Sequence, residues 1–175
     1  DANFSPFLFF PKLTETSLVN LAFASGCLSR ALELDAPNHC SVPATGQSTF
    51  SFSFQPHRQI PVALPHSRGQ VEIDAVFFAR RRGVDSLFVV EAKTGPRRKS
   101  IAKHKLAYPL LALRPTVPDH IPIIPIYMHA ERNTDGYVFR IVECELQMPP
   151  ESLPVLAELK AVRATEIKLI LPKLL

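Results

Sequence analysis

The fold is decided by residues 69–95, which read GQVEIDAVFFARRRGVDSLFVVEAKTG. Two runs rich in Val, Ile and Phe, residues 71–79 and 86–92, flank an Arg-Arg-Gly-Val-Asp segment with Gly83 at its centre. β-branched and aromatic residues favour strands and a central glycine favours a tight turn, so the stretch predicts an antiparallel hairpin. Because both runs are apolar at nearly every position, we expect both faces of the hairpin to be covered.

Charged residues interrupt this apolar hairpin: Glu72 and Asp74 on the first strand, Glu91 and Lys93 on the second. Side chains two residues apart on a strand point to the same face. With the turn centred just before the glycine, Asp74 lies opposite Glu91. The same register places Glu72 opposite Lys93. A slip of one residue would send the charges of the two strands to opposite faces, so this expectation depends on the turn.

Two carboxylates that face each other in a covered sheet are costly to ionise, because burial and like charge both disfavour the charged form. A divalent cation relieves this cost, and ligands made only of oxygen favour Mg²⁺ or Mn²⁺ over zinc. A lysine two residues beyond one carboxylate can hold the attacking water and offset charge in the transition state. The pattern therefore predicts phosphodiester hydrolysis. The structural alternative is a salt bridge between Glu72 and Lys93 at the end of the sheet.

Asp74, sixteen intervening residues and then Glu91-Ala92-Lys93 resemble the Asp…Glu-x-Lys motif of the PD-(D/E)XK nuclease superfamily. This superfamily has the restriction-endonuclease-like fold, and the sequences Glu-Ile-Asp and Phe-Val-Val-Glu-Ala-Lys-Thr are most similar to its resolvase-like and Mrr-like members. The resemblance implies that Asp74, Glu91 and the backbone carbonyl of Ala92 bind the metal. It also implies that Lys93 is the base that positions water. The proline that precedes the aspartate in the superfamily is replaced by Ile73.

A first helix is predicted over residues 14–34, where Thr14 can cap the N-terminus and Gly26 marks a weak point. Glu15 falls in its first turn, where a carboxylate complements the helix dipole. The resemblance implies a second role, because members of the superfamily often place a glutamate of this helix at the metal site. Glu15 is therefore a fourth candidate catalytic residue, and Glu33 near the other end of the helix is its substitute.

Basic residues follow the Glu-x-Lys motif and are candidates for holding nucleic acid. They are Arg97, Arg98, Lys99, Lys103 and Lys105. Ser100 can cap a helix that runs to about Leu113. Cations at a helix N-terminus oppose its dipole, which favours contact with a phosphate backbone, and a solvated basic face is the alternative.

The remaining patterns complete an α/β chain. Alternation of Phe and Ser over residues 48–54 predicts the first strand, and later strands are predicted over 121–130, 137–146 and 166–171, with a short helix over 153–160. Glu143 and Glu145 share a face that we expect to meet solvent. The resemblance implies a restriction-endonuclease-like mixed β-sheet flanked by helices, with the 121–130 strand beside that of Glu91. It implies one domain over residues 1–175, with its core at about 14–130 and C-terminal additions at 131–175.

Composition limits the class of protein. The chain has 175 residues, 46% of them hydrophobic, which suits one domain with a substantial core. Its net charge of +4 is compatible with a polyanionic partner, and no apolar run is as long as a membrane span. Three cysteines without C-x-x-C spacing predict reduced thiols in an intracellular protein of the cytoplasm, nucleoid or nucleus. Scattered histidines argue against zinc. A start without Met suggests further domains of a longer chain.

These observations predict a metal-dependent DNA endonuclease that uses Mg²⁺ or Mn²⁺. A homodimer agrees with the resemblance, since many members of the superfamily dimerise to cut two strands. Two alternatives stay open. One is a non-catalytic subunit for nucleic-acid binding or assembly that retains the nuclease fold, and the other is a nuclease that acts on RNA.

Overall fold

The computed structural model describes residues 4–36, 40–95, 102–149 and 151–171 of the chain. The described residues form one α/β domain. Its helices are α1 (Ser5–Leu8), α2 (Glu15–Ala24), α3 (Cys27–Ala31) and α4 (Lys103–Leu113). Its strands are β1 (Ala44–Phe54), β2 (Leu64–Arg81), β3 (Val84–Thr94), β4 (Ile123–Asn133), β5 (Gly136–Glu145) and β6 (Lys160–Ile170). Two 3₁₀ turns, Arg114–Thr116 and Leu156–Glu158, lie in the connections.

The six strands form one mixed sheet in the order β1-β2-β3-β4-β5-β6. Neighbouring strands are antiparallel except β3 and β4, which are parallel and are joined by α4. A parallel pair needs such a crossover, because its strands start at the same edge of the sheet. The strand of residues 121–130 was predicted to lie beside that of Glu91, and the β3–β4 pairing confirms this.

Both faces of the central strands are covered, as the continuous apolar runs predicted. On one face, Phe77 and Phe88 pack in a buried cluster with Leu18 and Leu21 of α2. On the other face, Leu106 and other residues of α4 pack against β4, and the second half of α4 packs against β2 and β3. The hairpin that carries the charged residues is therefore the centre of a three-layer structure.

The predicted hairpin register is confirmed from Ala75, which pairs with Val90, to Arg81, which pairs with Val84. The two turn residues, Arg82 and Gly83, have φ values of 52° and 75°. Two successive positive φ values give the turn a twist that matches the flanking strands. The carboxylate of Asp35 accepts hydrogen bonds from the backbone N–H groups of both turn residues, at 2.7 and 2.8 Å.

A β-bulge interrupts β2 where the charged residues begin. Its register against β1 shifts between the pair Ala44–Val76 and the pair Gly46–Ile73, so β2 has one more residue than β1 across this interval. Thr45 Oγ1 donates a 3.0 Å hydrogen bond to the Ile73 carbonyl at this point. Beyond the bulge the described β2–β3 pairing ends, and β2 continues only against β1.

The bulge explains why the predicted opposition of Glu72 and Lys93 is wrong. Glu72 pairs with Gln47 of β1 and is exposed. Lys93 instead forms ion pairs with Glu91 and Glu15. The regular register places Glu72 and Lys93 face to face only if the two strands remain paired, and they separate before that point.

The predicted first helix is two helices, because Gly26 lies between α2 and α3 with a φ of 73°. Thr14 caps α2, as predicted, by accepting a hydrogen bond from the Ser17 N–H at 3.2 Å. Ala102 occupies the N-cap position of α4 and provides no side-chain cap. Ser100, the predicted cap, lies outside the described residues.

Glu143 is not the solvent-facing residue that the sequence predicted. It accepts hydrogen bonds from both terminal nitrogens of Arg81, at 2.7 and 2.9 Å, and its side chain is only 13% exposed. The guanidinium also lies over the Phe88 ring, 5.6 Å from its centre. This ion pair therefore links β2, near the hairpin turn, to β5 across the two strands that lie between them.

No helix in the described part of the chain has the length and apolar character needed to cross a bilayer. The three cysteines, Cys27, Cys40 and Cys144, are free thiols, as predicted.

Candidate functional site

The bulge and the end of β3 bring Asp74 to the Glu-x-Lys segment. Asp74 Oδ2 accepts a 2.7 Å hydrogen bond from the Ala92 N–H, in place of a ladder hydrogen bond between the strands. Glu91 precedes this N–H group and is 7% exposed. The two predicted acidic residues therefore lie on either side of one peptide group, where two strands of the sheet part.

Lys93 is the centre of the site. Its Nζ lies 2.7 Å from Glu91 Oε1 and 3.6 Å from Glu15 Oε1. It also donates a 2.7 Å hydrogen bond to the Ala92 carbonyl. The contact with Glu91 is a close ion pair without good hydrogen-bond alignment, since Oε1 has no aligned donor. One ammonium group thus joins two carboxylates and a carbonyl.

The ionisation of Glu91 and Lys93 is coupled by this contact. Burial raises the pKa of Glu91, and the charge of Asp74 adds to the rise, while Lys93 and Lys105 oppose it. Burial by itself lowers the pKa of Lys93, but the contact with Glu91 and the surrounding negative charges outweigh it, so this pKa lies above its usual value. Lys93 is therefore a cation at neutral pH in this arrangement.

Glu15 contacts the Lys93 ammonium from the first turn of α2. The cap at Thr14 fixes the start of the helix, and Glu15 is the first helical residue. Glu33, its predicted substitute, lies elsewhere and forms ion pairs with Arg82 and Arg163 at 3.0 and 2.8 Å. Of the two glutamates, only Glu15 belongs to the site.

The oxygen atoms at this site suit a hard divalent cation. The carboxylate of Glu91 and the carbonyl of Ala92 are already held by one positive group, the Lys93 ammonium, and Asp74 lies next to them. Among the described residues, no three His, Cys, Asp or Glu side chains converge as a ready-made metal site. The resemblance implies two carboxylates and a carbonyl as ligands, and the residues that would supply them, Asp74, Glu91 and Ala92, lie next to one another.

The predicted basic residues are partly described. Lys103 and Lys105 are exposed in the first turn of α4, and the charge of Lys105 reaches Glu91. Lys103 donates a hydrogen bond to the Ala157 carbonyl. Arg97, Arg98 and Lys99 lie outside the described residues. Of the two described basic residues in this set, Lys105 is therefore the one whose charge acts on Glu91.

Two polar residues of β4 adjoin the site, and the sequence analysis missed them. Tyr127 pairs with Glu91 and His129 pairs with Lys93 in the parallel β3–β4 register. They are 7% and 3% exposed. Burial raises the pKa of Tyr127, on which the charges of Lys93, Glu91 and Glu15 also act. The signal was present, because these are the two polar side chains in the apolar run predicted as the strand beside Glu91.

The fold and the site define an α/β protein whose mixed sheet carries a cluster of charged side chains where its central hairpin opens. The chain belongs to the family described as domain of unknown function DUF6997, whose sequence profile matches residues 7–161. No curated protein and no solved structure shows significant similarity to the chain.

Proposed function

We propose that the protein is a metal-dependent DNA endonuclease with a restriction-endonuclease-like fold. The observation that carries the proposal is the convergence of Asp74, Glu91, Lys93 and Glu15 around the Ala92 peptide group. The order of elements, a helical segment, a strand, a hairpin, a helix and a strand, is the one that the resemblance to the PD-(D/E)XK superfamily implies. This order supports the proposal independently of the charged residues.

Each residue of the site has a role that its environment favours. Asp74, Glu91 and the Ala92 carbonyl would hold Mg²⁺ or Mn²⁺, which would supply charge stabilisation and a water of lowered pKa for attack on a phosphodiester. Glu15 reaches the same ammonium group from α2 and would orient it. Since Lys93 is protonated here, it would act by holding water and offsetting negative charge, and not as a free base.

The test is cleavage of labelled linear, branched and single-stranded DNA, and of RNA, with Mg²⁺, Mn²⁺ or EDTA. We expect the parent protein to cleave only with metal, and Lys93→Ala to lower the rate at least about a hundredfold. Lys168→Ala is the matched control, because it removes an exposed lysine of β6. Melting temperatures of both variants are needed, since the loss of Lys93 leaves a buried carboxylate without its cation.

The proposal fails if the parent cleaves none of these substrates with either metal, or if Lys93→Ala cleaves like the parent. Asp74→Ala provides an independent check of the site. Unchanged metal-dependent cleavage by this variant would show that the catalytic residues lie elsewhere.

One observation favours the second function, a non-catalytic subunit for binding or assembly. The Lys93 ammonium pairs with the Glu91 carboxylate and donates a hydrogen bond to the Ala92 carbonyl, so these charged groups also have a purely structural role. Salt-sensitive DNA binding by the parent without cleavage under any metal condition would support this function over the first.

A further inference from the structure

Buried polar atoms without a hydrogen-bond partner are concentrated beside the charged site. Among the described residues, five buried side-chain nitrogen and oxygen atoms have no hydrogen-bond partner. Three of them belong to two neighbouring residues beside the site: Tyr127 Oη, His129 Nδ1 and His129 Nε2. A fourth, Glu91 Oε1, has the Lys93 ammonium as its ion-pair partner at 2.7 Å. Most buried polar groups in folded proteins are hydrogen-bonded, so a cluster of exceptions calls for a specific explanation.

The unpartnered atoms belong to one face of the sheet. In the β3–β4 register, Tyr127 is the neighbour of Glu91, and His129 is the neighbour of Lys93. Residues two apart on a strand share a face, so these four side chains form a block of two by two. Tyr127 packs in the cluster formed with α4, which assigns this face to the α4 side of the sheet.

The chemistry of the unpartnered groups differs from that of the acidic residues. A phenol donates one hydrogen bond, and an imidazole donates at least one from its ring nitrogens. The Lys93 ammonium and, at longer range, the Lys105 charge lie in the same region. Hydrogen-bond donors beside cations complement the oxygens of a phosphate group, to which charge-assisted hydrogen bonds are strong.

We propose that Tyr127 and His129 are substrate-contacting residues, which hold a phosphate group of the nucleic acid next to Glu91 and Lys93. The inference rests on the proposed function and extends it to two residues that the sequence pattern did not single out. The Tyr127 hydroxyl donates to a non-bridging phosphate oxygen, and His129 provides a second hydrogen bond from the neighbouring position. Each of these hydrogen bonds would satisfy an atom that has no protein hydrogen-bond partner.

The test uses Tyr127→Phe, which removes the unpartnered hydroxyl and retains the packed ring. Because no protein hydrogen bond is lost, we expect a melting temperature equal to or above that of the parent. We expect metal-dependent cleavage of the labelled DNA to fall about tenfold or more, as for the loss of a hydrogen bond to a charged group. Tyr137→Phe is the matched control, since Tyr137 is a 6% exposed tyrosine of β5 that packs on the opposite face of the sheet.

His129→Leu is the second variant and keeps the inference testable if Tyr127→Phe does not fold. It replaces a buried polar ring by an apolar side chain, so its stability should be retained while cleavage falls. Affinity for a labelled duplex with Ca²⁺ in place of Mg²⁺ provides a readout that does not require turnover, and it should weaken in both variants.

The outcomes separate the two proposals. A parent protein that binds DNA without cleaving it, with weaker binding by Tyr127→Phe, would refute the nuclease and support the substrate contact. A parent that cleaves DNA, with Tyr127→Phe cleaving and binding within about twofold of it, would overturn the inference and leave a buried water as the partner of the hydroxyl. Equal losses in Tyr127→Phe and Tyr137→Phe would also overturn it.

Discussion

Lys93 shows how a single side chain can link the acidic groups of a site. Its ammonium contacts Glu91, Glu15 and the Ala92 carbonyl. Without this cation the Glu91 carboxylate would carry an unfavourable charge, because it is buried and lies near Asp74. At the residue scale, the site is therefore held together by one positive charge among three acidic side chains.

The raised pKa of Glu91 gives a pH-dependent prediction. Glu91 binds its proton more tightly in the folded than in the unfolded chain, so its contribution to stability is complete below the usual pKa of 4.5. This contribution is lost as the pH rises through the higher pKa of the folded state. Relative to Glu91→Gln, which does not titrate, the free energy of unfolding of the parent should therefore fall as the pH rises from the usual pKa of 4.5 through the higher pKa of folded Glu91.

Urea unfolding of both proteins across this pH range measures the difference. Glu72→Gln is the matched control for the loss of one carboxylate, because Glu72 is an exposed residue of the neighbouring strand. A difference between the parent and Glu91→Gln that stays constant, or that grows in favour of the parent as the pH rises, would contradict the assigned pKa direction.

At the scale of elements, the register of the β2–β3 hairpin was predictable from the sequence. The bulge in β2 beside Asp74 was not. The turn at Arg82 and Gly83 fixed the register, since a two-residue turn leaves one pairing for all residues that follow. No change in the hydrophobic periodicity of the sequence indicates the bulge beside Asp74. It depends on how β1 pairs with β2 over a long range, and the hydrogen bond from Thr45 belongs to that pairing.

The same dependence on long-range strand pairing explains why the surroundings of Glu143, and those of Tyr127 and His129, were not predicted. Glu143 reads as a polar residue on an alternating strand, and only the position of Arg81 across the sheet shows that it is paired. Tyr127 and His129 read as residues of an apolar run, and their proximity to Glu91 and Lys93 follows from the parallel register through α4. The pairing within the hairpin was predictable from the residues, and the resemblance placed β4 beside β3, whereas the residue-by-residue register across the crossover required the structure.

The cap of α2 provides a prediction at this scale. Thr14→Ala removes the acceptor for the Ser17 N–H and should lower the free energy of unfolding by about 1 kcal/mol. Because Glu15 is the next residue, fraying of this turn should also loosen its contact with Lys93 and reduce cleavage more than the stability loss alone explains. Thr14→Ser retains a capping hydroxyl and is the control. Equal stability and cleavage in both variants would show that the cap does not position Glu15.

At the scale of the whole molecule, the excess of basic over acidic residues has a measurable consequence. The chain carries 20 Lys and Arg against 16 Asp and Glu. If the basic residues after β3 contact the phosphate backbone, DNA affinity should fall steeply with salt, because each contact releases bound counterions.

Replacing Arg97, Arg98 and Lys99 together by alanine should weaken DNA binding and reduce the salt slope by about one unit for each lost contact. Fluorescence anisotropy of a labelled duplex over a series of salt concentrations measures both quantities. Lys168→Ala, on the edge strand β6, should leave the slope unchanged. A triple variant with the slope of the parent would place the nucleic acid on another surface.

The crossover between β3 and β4 also has a consequence for folding. Every other pair of neighbouring strands is antiparallel, whereas β3 and β4 are parallel and can pair only after the chain between them has formed α4 and returned to the same edge of the sheet. Closing a longer loop costs more entropy, so this pairing should be the slowest step of sheet formation. Glu91 and Tyr127 would then meet last, after the antiparallel strands on either side have excluded water. In pulsed hydrogen exchange, the backbone amides that form hydrogen bonds between β3 and β4 should become protected later than those that form hydrogen bonds within the β2–β3 hairpin.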